Sequence, residues 1–240
     1  MSQNRSANRP PRWSAHARGV AAATLSAFLL AGCGETPEQM LASAKTYIEN
    51  KDFDAASIQL KNALQANGNM AEARFLLGRI NARQGNVAGA VKEFQRAQEL
   101  GYARDEVARE LAPALLKAGE LDKLLTEYAD PRIDDPAVRA VVLVALGDAH
   151  LMKRDVDKAH SAYERAFAAN PDEHGARLGL ARTTLIKGDA TKAEELVVDT
   201  VKRAPELAEA RSMLAELLIA RGAVEQGIAE MRAAVRLVPK

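Results

Sequence analysis

One pattern returns along this chain every 34 residues, and it limits the fold more than any other feature. Pro171, Pro205 and Pro239 stand 34 residues apart, as do Ala159 and Ala193, and Gly188 and Gly222. The clearest copy covers residues 140–171. With Ala140 as position 1, Leu146 and Gly147 fall at positions 7 and 8, Ala159 at 20, Tyr163 at 24, Ala166 at 27 and Pro171 at 32. Small residues at 8, 20 and 27 let the two helices of one hairpin approach closely, and the proline, with no N–H to donate, closes the second helix. A single hairpin of this kind cannot bury its apolar face, so the units must stack.

The pattern also runs backwards. Leu77, Gly78, Gly85, Ala90, Phe94 and Ala97 take positions 7, 8, 15, 20, 24 and 27 of a unit counted from Ala71. Ala44, Tyr47, Ala56, Leu60 and Ala63 take 8, 11, 20, 24 and 27 of one counted from Pro37. This resembles the tetratricopeptide repeat, over residues 37–239. The resemblance implies an all-α fold, a right-handed α-solenoid of about six helix-turn-helix repeats and twelve helices, with a concave inner face. The repeats are expected near 37–70, 71–104, 105–135, 136–171, 172–205 and 206–239. With 48% hydrophobic but only 4% aromatic residues, the core must be built from alanine and leucine contacts, which suits thin helical layers better than a strand sandwich.

The third unit departs from the pattern. Pro113 sits inside a helix expected over 106–118, where it should remove a hydrogen bond to Arg109 and either bend the helix or, as a local habit of the repeat, have little consequence. The second helix, over 121–128, is short, and 129–134 reads as a loop. Asp135 and Pro136 then restart the array as N-cap and first helical residue, earlier than the period requires. After Pro239 only Lys240 remains. Either the last helix, over 224–238 with Ile228, Met231 and Val235, is a poorly capped edge, or the array is the front part of a longer one; the second is the favoured expectation.

The first 19 residues hold Arg5, Arg9, Arg12 and Arg18 and no acid, and residues 20–31 (VAAATLSAFLLA) are uncharged and mostly apolar. That run is too short to span a bilayer, which needs about 20 residues. Residues 1–32 therefore read as a signal peptide. Leu30, Ala31, Gly32 and Cys33 resemble the bacterial lipoprotein cleavage box. The resemblance implies a cut between Gly32 and Cys33, lipidation of Cys33, and a tether over 33–36. Gly34, in place of an aspartate, favours delivery to the outer membrane, facing the periplasm, over retention in the inner one. Cys33 is the only cysteine, so no internal disulfide competes for it. Several acyl chains, at about 0.8 kcal/mol per buried CH₂, would hold the protein on a membrane durably.

Removing residues 1–32 takes away four arginines, leaving 29 Lys+Arg against 32 Asp+Glu, a formal charge of −3. Scattered signs and no basic stripe give no footprint for nucleic acid. Catalytic signals are missing too: there is no G-x-S-x-G, no phosphate-cradling glycine loop, and no cysteine left free once Cys33 is lipidated. His16, His150, His160 and His174 offer no i, i+4 metal pair, and His150, at position 11, reads as a packing residue. Asp134-Asp135 and Glu194-Glu195 read as helix starts and solvated faces. No enzyme, cofactor or metal is expected.

In repeats of this kind the inner groove is lined by positions 2, 5, 9, 12 and 13 of each first helix. Carried onto this chain, that implies Lys45, Glu49, Arg79, Arg83, Lys117, Asp148, Arg182 and Glu216, a mixture suited to an extended peptide or a polar polymer. The clamp by which chaperone-binding relatives hold a terminal carboxylate is absent, since its asparagine positions carry Ala42 and Lys45, Leu76 and Arg79, and Ala145 and Asp148. The lipoprotein box followed by TPEQMLASAKTYIENKDFDAASIQLKNALQ (36–65) and EARFLLGRINARQGNVAGAVKEFQRAQELGY (72–102) is similar to the tetratricopeptide-repeat lipoproteins of the PEP-CTERM/exosortase system. These are longer proteins that accompany exopolysaccharide production and protein sorting in Gram-negative bacteria. The resemblance implies a non-catalytic scaffold with a protein or peptide partner in the cell envelope. A generic adaptor for outer-membrane protein insertion or pilus assembly is the alternative.

Overall fold

The computed structural model describes residues 35–238; the signal peptide expected over residues 1–32 and the expected lipidation site Cys33 lie outside the described residues. Those described form twelve α-helices and no strand, the all-α repeat architecture that the spacing predicts. The first hairpin pairs α1 (Pro37–Glu49) with α2 (Phe53–Ala66), and the second α3 (Ala71–Arg83) with α4 (Val87–Glu99). Next come α5 (Arg104–Lys117) with α6 (Leu121–Glu127), and α7 (Pro136–Met152) with α8 (Val156–Ala169). The last two are α9 (His174–Ile186) with α10 (Ala190–Arg203), and α11 (Ala208–Ala220) with α12 (Val224–Leu237). Successive hairpins stack through the second helix of one against the first of the next: α2 on α3, α4 on α5, α8 on α9, α10 on α11.

Three local devices repeat with the hairpins. The turn inside each takes one left-handed residue, Gly85 with φ +78° in the second unit; Lys51 (φ +61°) and Arg154 (φ +63°) hold the same place in the first and fourth. A side chain there costs about 1–2 kcal/mol, which is why the glycine signal alone leaves these two turns unmarked. The residue after it caps the second helix. Asp52, Asn86, Asp155 and Asp189 each accept a hydrogen bond from the backbone N–H three residues on, satisfying a donor that the helix start would orphan. The third device joins units. An arginine at position 4 of a first helix reaches back six residues to a carbonyl of the preceding turn: Arg74 to Gly68 (3.3 Å), Arg177 to Pro171 (2.6 Å), Arg211 to Pro205 (2.7 Å).

The third unit is irregular as expected, and the structure shows what replaces the pattern. With only seven residues, α6 buries Leu124 alone, and α5 packs directly on α7. Asp105, in the first turn of α5, accepts hydrogen bonds from the N–H groups of Asp134 (3.1 Å) and Asp135 (3.0 Å), tying down the loop that takes up the missing helix length. Asp135 then caps α7 through Ala137 N–H (2.8 Å). The left-handed turn residues stand at 51, 85, 119, 154, 188 and 222, so the period lengthens by one residue at this unit and resumes. Helix α5 begins at Arg104 and runs unbroken across Pro113, whose ring removes the N–H that Arg109 would otherwise accept from.

Candidate functional site

The fourth and fifth units meet on one aromatic side chain. Tyr163 of α8 is fully buried, and its ring is wedged between Gly147 of α7 and Gly179 of α9. A Cβ on Gly147 would lie 2.5 Å from the ring, and one on Gly179 closer still. Only a residue without a side chain allows such an approach, so Gly147, at position 8 of its unit, and Gly179, at position 6 of the next, are the residues that admit the ring of Tyr163. The Tyr163 hydroxyl donates to Asp148 Oδ1 at 2.6 Å. Burial raises the Asp148 carboxyl above its ordinary range, while the tyrosine hydrogen bond and Arg182 pull it down. Burial and the same carboxylate push the Tyr163 hydroxyl well up, so it stays a donor. Asp148, an inner-face candidate, is thereby anchored to the core.

Most other predicted inner-face residues are brought together in pairs. Lys45 contacts Glu72 at 2.6 Å, and Arg182 contacts Glu209 at 3.2 Å and Asp148 at 3.8 Å. Lys45–Glu72 and Arg182–Glu209 share one register, position 9 to position 2 of the next unit. Arg79 faces Glu110 at 3.7 Å, and the guanidinium of Arg83 stacks 4.3 Å above the Phe53 ring. Glu49 and Lys117 are exposed and make no ion pair among the described residues. Pairs this exposed contribute about 0–1 kcal/mol each, so a partner can displace them at little cost.

Arg182 and Glu216 also line an open cleft of about 1020 Å³ between α9, α10 and α11. Its floor is apolar, with Val198, Met213 and Leu217, and Glu195 joins it from the second helix α10, a helix that the inner-face rule leaves out. Position 13 adds a further contrast. It holds Glu49, Arg83 and Lys117 in the first three units but Met152, Ile186 and Ala220 in the last three, and Met152 and Ile186 are 60% and 56% exposed. The same position arithmetic reaches these residues; being apolar, they look like core. Met152 and Ile186 are thus apolar side chains left in water at the position that the repeat rule assigns to the inner face.

His150 is half-buried, and burial lowers its imidazole pKa. His160 Nδ1 lies 2.8 Å from Thr183 Oγ1, joining α8 to α9. Among the described residues no cluster of three His, Cys, Asp or Glu side chains could hold a metal ion, and no helix is long and apolar enough to cross a membrane.

A sequence profile of the tetratricopeptide repeat matches residues 41–106, 144–199 and 185–240, leaving out the irregular third unit. Among curated proteins, the chain is 27% identical over 155 residues to the cytochrome c-type biogenesis protein CycH of Pseudomonas aeruginosa. The match covers 64% of this chain and 37% of that protein, so the chain spans well under half the length of the relative. Among solved structures, a tetratricopeptide repeat protein from Parabacteroides merdae superposes with a TM-score of 0.68 at 20% identity, over 86% of this chain and 82% of that one. The PilF protein of Pseudomonas aeruginosa superposes with a TM-score of 0.65 at 16% identity, over 85% and 92%. The repeated hairpins, their period and the profile match agree: this chain belongs to the tetratricopeptide repeat family.

Proposed function

We propose that this protein is a non-catalytic interaction scaffold of the bacterial envelope, anchored to the outer membrane through lipid on Cys33 and facing the periplasm, and that it serves exopolysaccharide production and PEP-CTERM protein sorting. The observation that carries this reading is the junction. A lipoprotein-type box at Leu30, Ala31, Gly32 and Cys33 is followed within four residues by the first repeat helix at Pro37. The repeat fold is that of a protein-interaction module, and its inner face offers exposed charge and apolar surface where a reactive centre would need a cluster of polarised groups. The length of this array beside a membrane tether suits holding partners together.

A second reading is an adaptor for another envelope assembly process. It is favoured by the similarity to a protein of c-type cytochrome biogenesis; the likeness to PilF supports the fold alone. Affinity capture separates the two. The tagged full chain, expressed in its host and solubilised from envelope membranes, is expected to retain proteins of polysaccharide synthesis or of the exosortase system. Retention of cytochrome c assembly proteins would favour the adaptor, and recovery of cytosolic chaperones alone would overturn both.

A further inference from the structure

Resting on the scaffold reading, we infer that the cleft between α9, α10 and α11 receives an extended segment of a partner protein in which lysine or arginine alternates with apolar side chains. The cleft joins two features that fit one such segment. Its floor is apolar, with the half-buried Val198 and Met213 beside the core residue Leu217, and the flanking Leu185 is 38% exposed. Burying that surface under apolar side chains removes it from water.

Its charge is the second feature. Both cleft arginines are already neutralised: Arg182 lies 3.2 Å from Glu209, and Arg221 lies 2.7 Å from Glu194. Glu195 and Glu216 are exposed on the cleft wall and have no ion-pair partner among the described residues. The nearby start of α10, which would attract an anion, is occupied by the Asp189 carboxylate accepting from Lys192 N–H at 3.0 Å. The cleft therefore presents two unmatched carboxylates around an apolar floor. It selects for a cationic, apolar segment and against an acidic one, because an acidic segment would set like charges side by side. Acidity alone would not confine such a segment here; the apolar floor does.

The test is fluorescence anisotropy with the full chain and three labelled peptides of equal length, built on Leu-Lys, Leu-Glu or Ser-Lys pairs separated by glycine. The Leu-Lys probe is expected to bind at least about tenfold more tightly than either of the others, and more weakly as salt rises. A Glu195→Gln, Glu216→Gln double variant with an unchanged helical spectrum should lose roughly tenfold for Leu-Lys, since each removed charge lies at the rim of the contact. The control pair Glu120→Gln, Glu127→Gln on the third unit should change nothing. Equal binding of Leu-Glu, equal binding of Ser-Lys, wild-type binding by the cleft variant, or an equal loss in the control pair would each overturn the inference. Envelope capture that persists undiminished with the cleft variant would sink the cleft alone; failure of the wild-type chain to capture any envelope protein would sink the scaffold reading.

Discussion

Replacing Tyr163 with alanine should lower stability by about 3–5 kcal/mol, the usual cost of emptying a fully buried aromatic site. Little can collapse into the gap, because the ring's neighbours on both sides are the glycines Gly147 and Gly179, which have no side chains to move. The loss should also change the shape of the transition. In a repeat array, cooperativity is carried by the interfaces between neighbouring units, and Tyr163 fills the one between α7, α8 and α9. Urea unfolding followed by circular dichroism is expected to show a lower midpoint and a shallower slope as the two sides uncouple. An unchanged slope with a shift under about 1 kcal/mol would show that the seam does not couple the units. Tyr163→Phe keeps the ring and removes only the hydroxyl donated to Asp148, so it should cost about 1.5 kcal/mol near neutral pH. That hydrogen bond pulls the Asp148 carboxyl down. Its contribution is therefore present while Asp148 is ionised and lost as pH falls through the folded-state value, and the gap between wild type and Tyr163→Phe should narrow in acid.

Arg177→Ala is the second large effect, expected at about 3 kcal/mol. The side chain is 2% exposed. It donates to the Pro171 carbonyl at 2.6 Å, lies 3.4 Å from Asp199 and sits 5.4 Å over the Phe167 ring. Alanine removes a charged hydrogen bond to the turn between units and leaves a void. Asp199 is not orphaned, because Arg203 holds it at 2.9 Å. The buried Nη1 of Arg177 has no hydrogen-bond partner, so the guanidinium bears a desolvation cost that its contacts only partly offset. Arg177→Met, which keeps the aliphatic volume without the charge, should therefore cost much less than alanine, about 1 kcal/mol. Thermal unfolding of both variants checks the order, and a methionine variant as unstable as the alanine one would mean that charge, rather than volume, holds the turn.

Those two residues mark where sequence reading reaches and where it stops. Tyr163 and Gly147 are legible because helix contact depends on side-chain size, and size recurs in phase with the hairpin; Gly179, which takes the other face of the ring, stands two residues before the small position of its unit and carries no such signal. The short α6 and the restart at Pro136 follow from breakers, caps and apolar spacing. Arg177 looks like a surface residue, since nothing local signals that a charge at position 4 folds back under the preceding turn. Inner-face charges such as Lys45 and Arg182 could be placed by position arithmetic. Their partners Glu72 and Glu209 belong to the next unit, and pairing across units depends on how hairpins stack. The cleft was half visible, through Arg182 and Glu216. Glu195 enters it from a second helix, and the apolar floor is indistinguishable from core in a one-dimensional pattern.

Incorporation of labelled palmitate into the full chain, beside Cys33→Ala, tests most directly that this repeat array is a tethered envelope scaffold. Label on the wild-type protein, recovered with outer membranes, and none on the alanine variant is the predicted result. An unlabelled wild-type protein, or equal label on both, would contradict it.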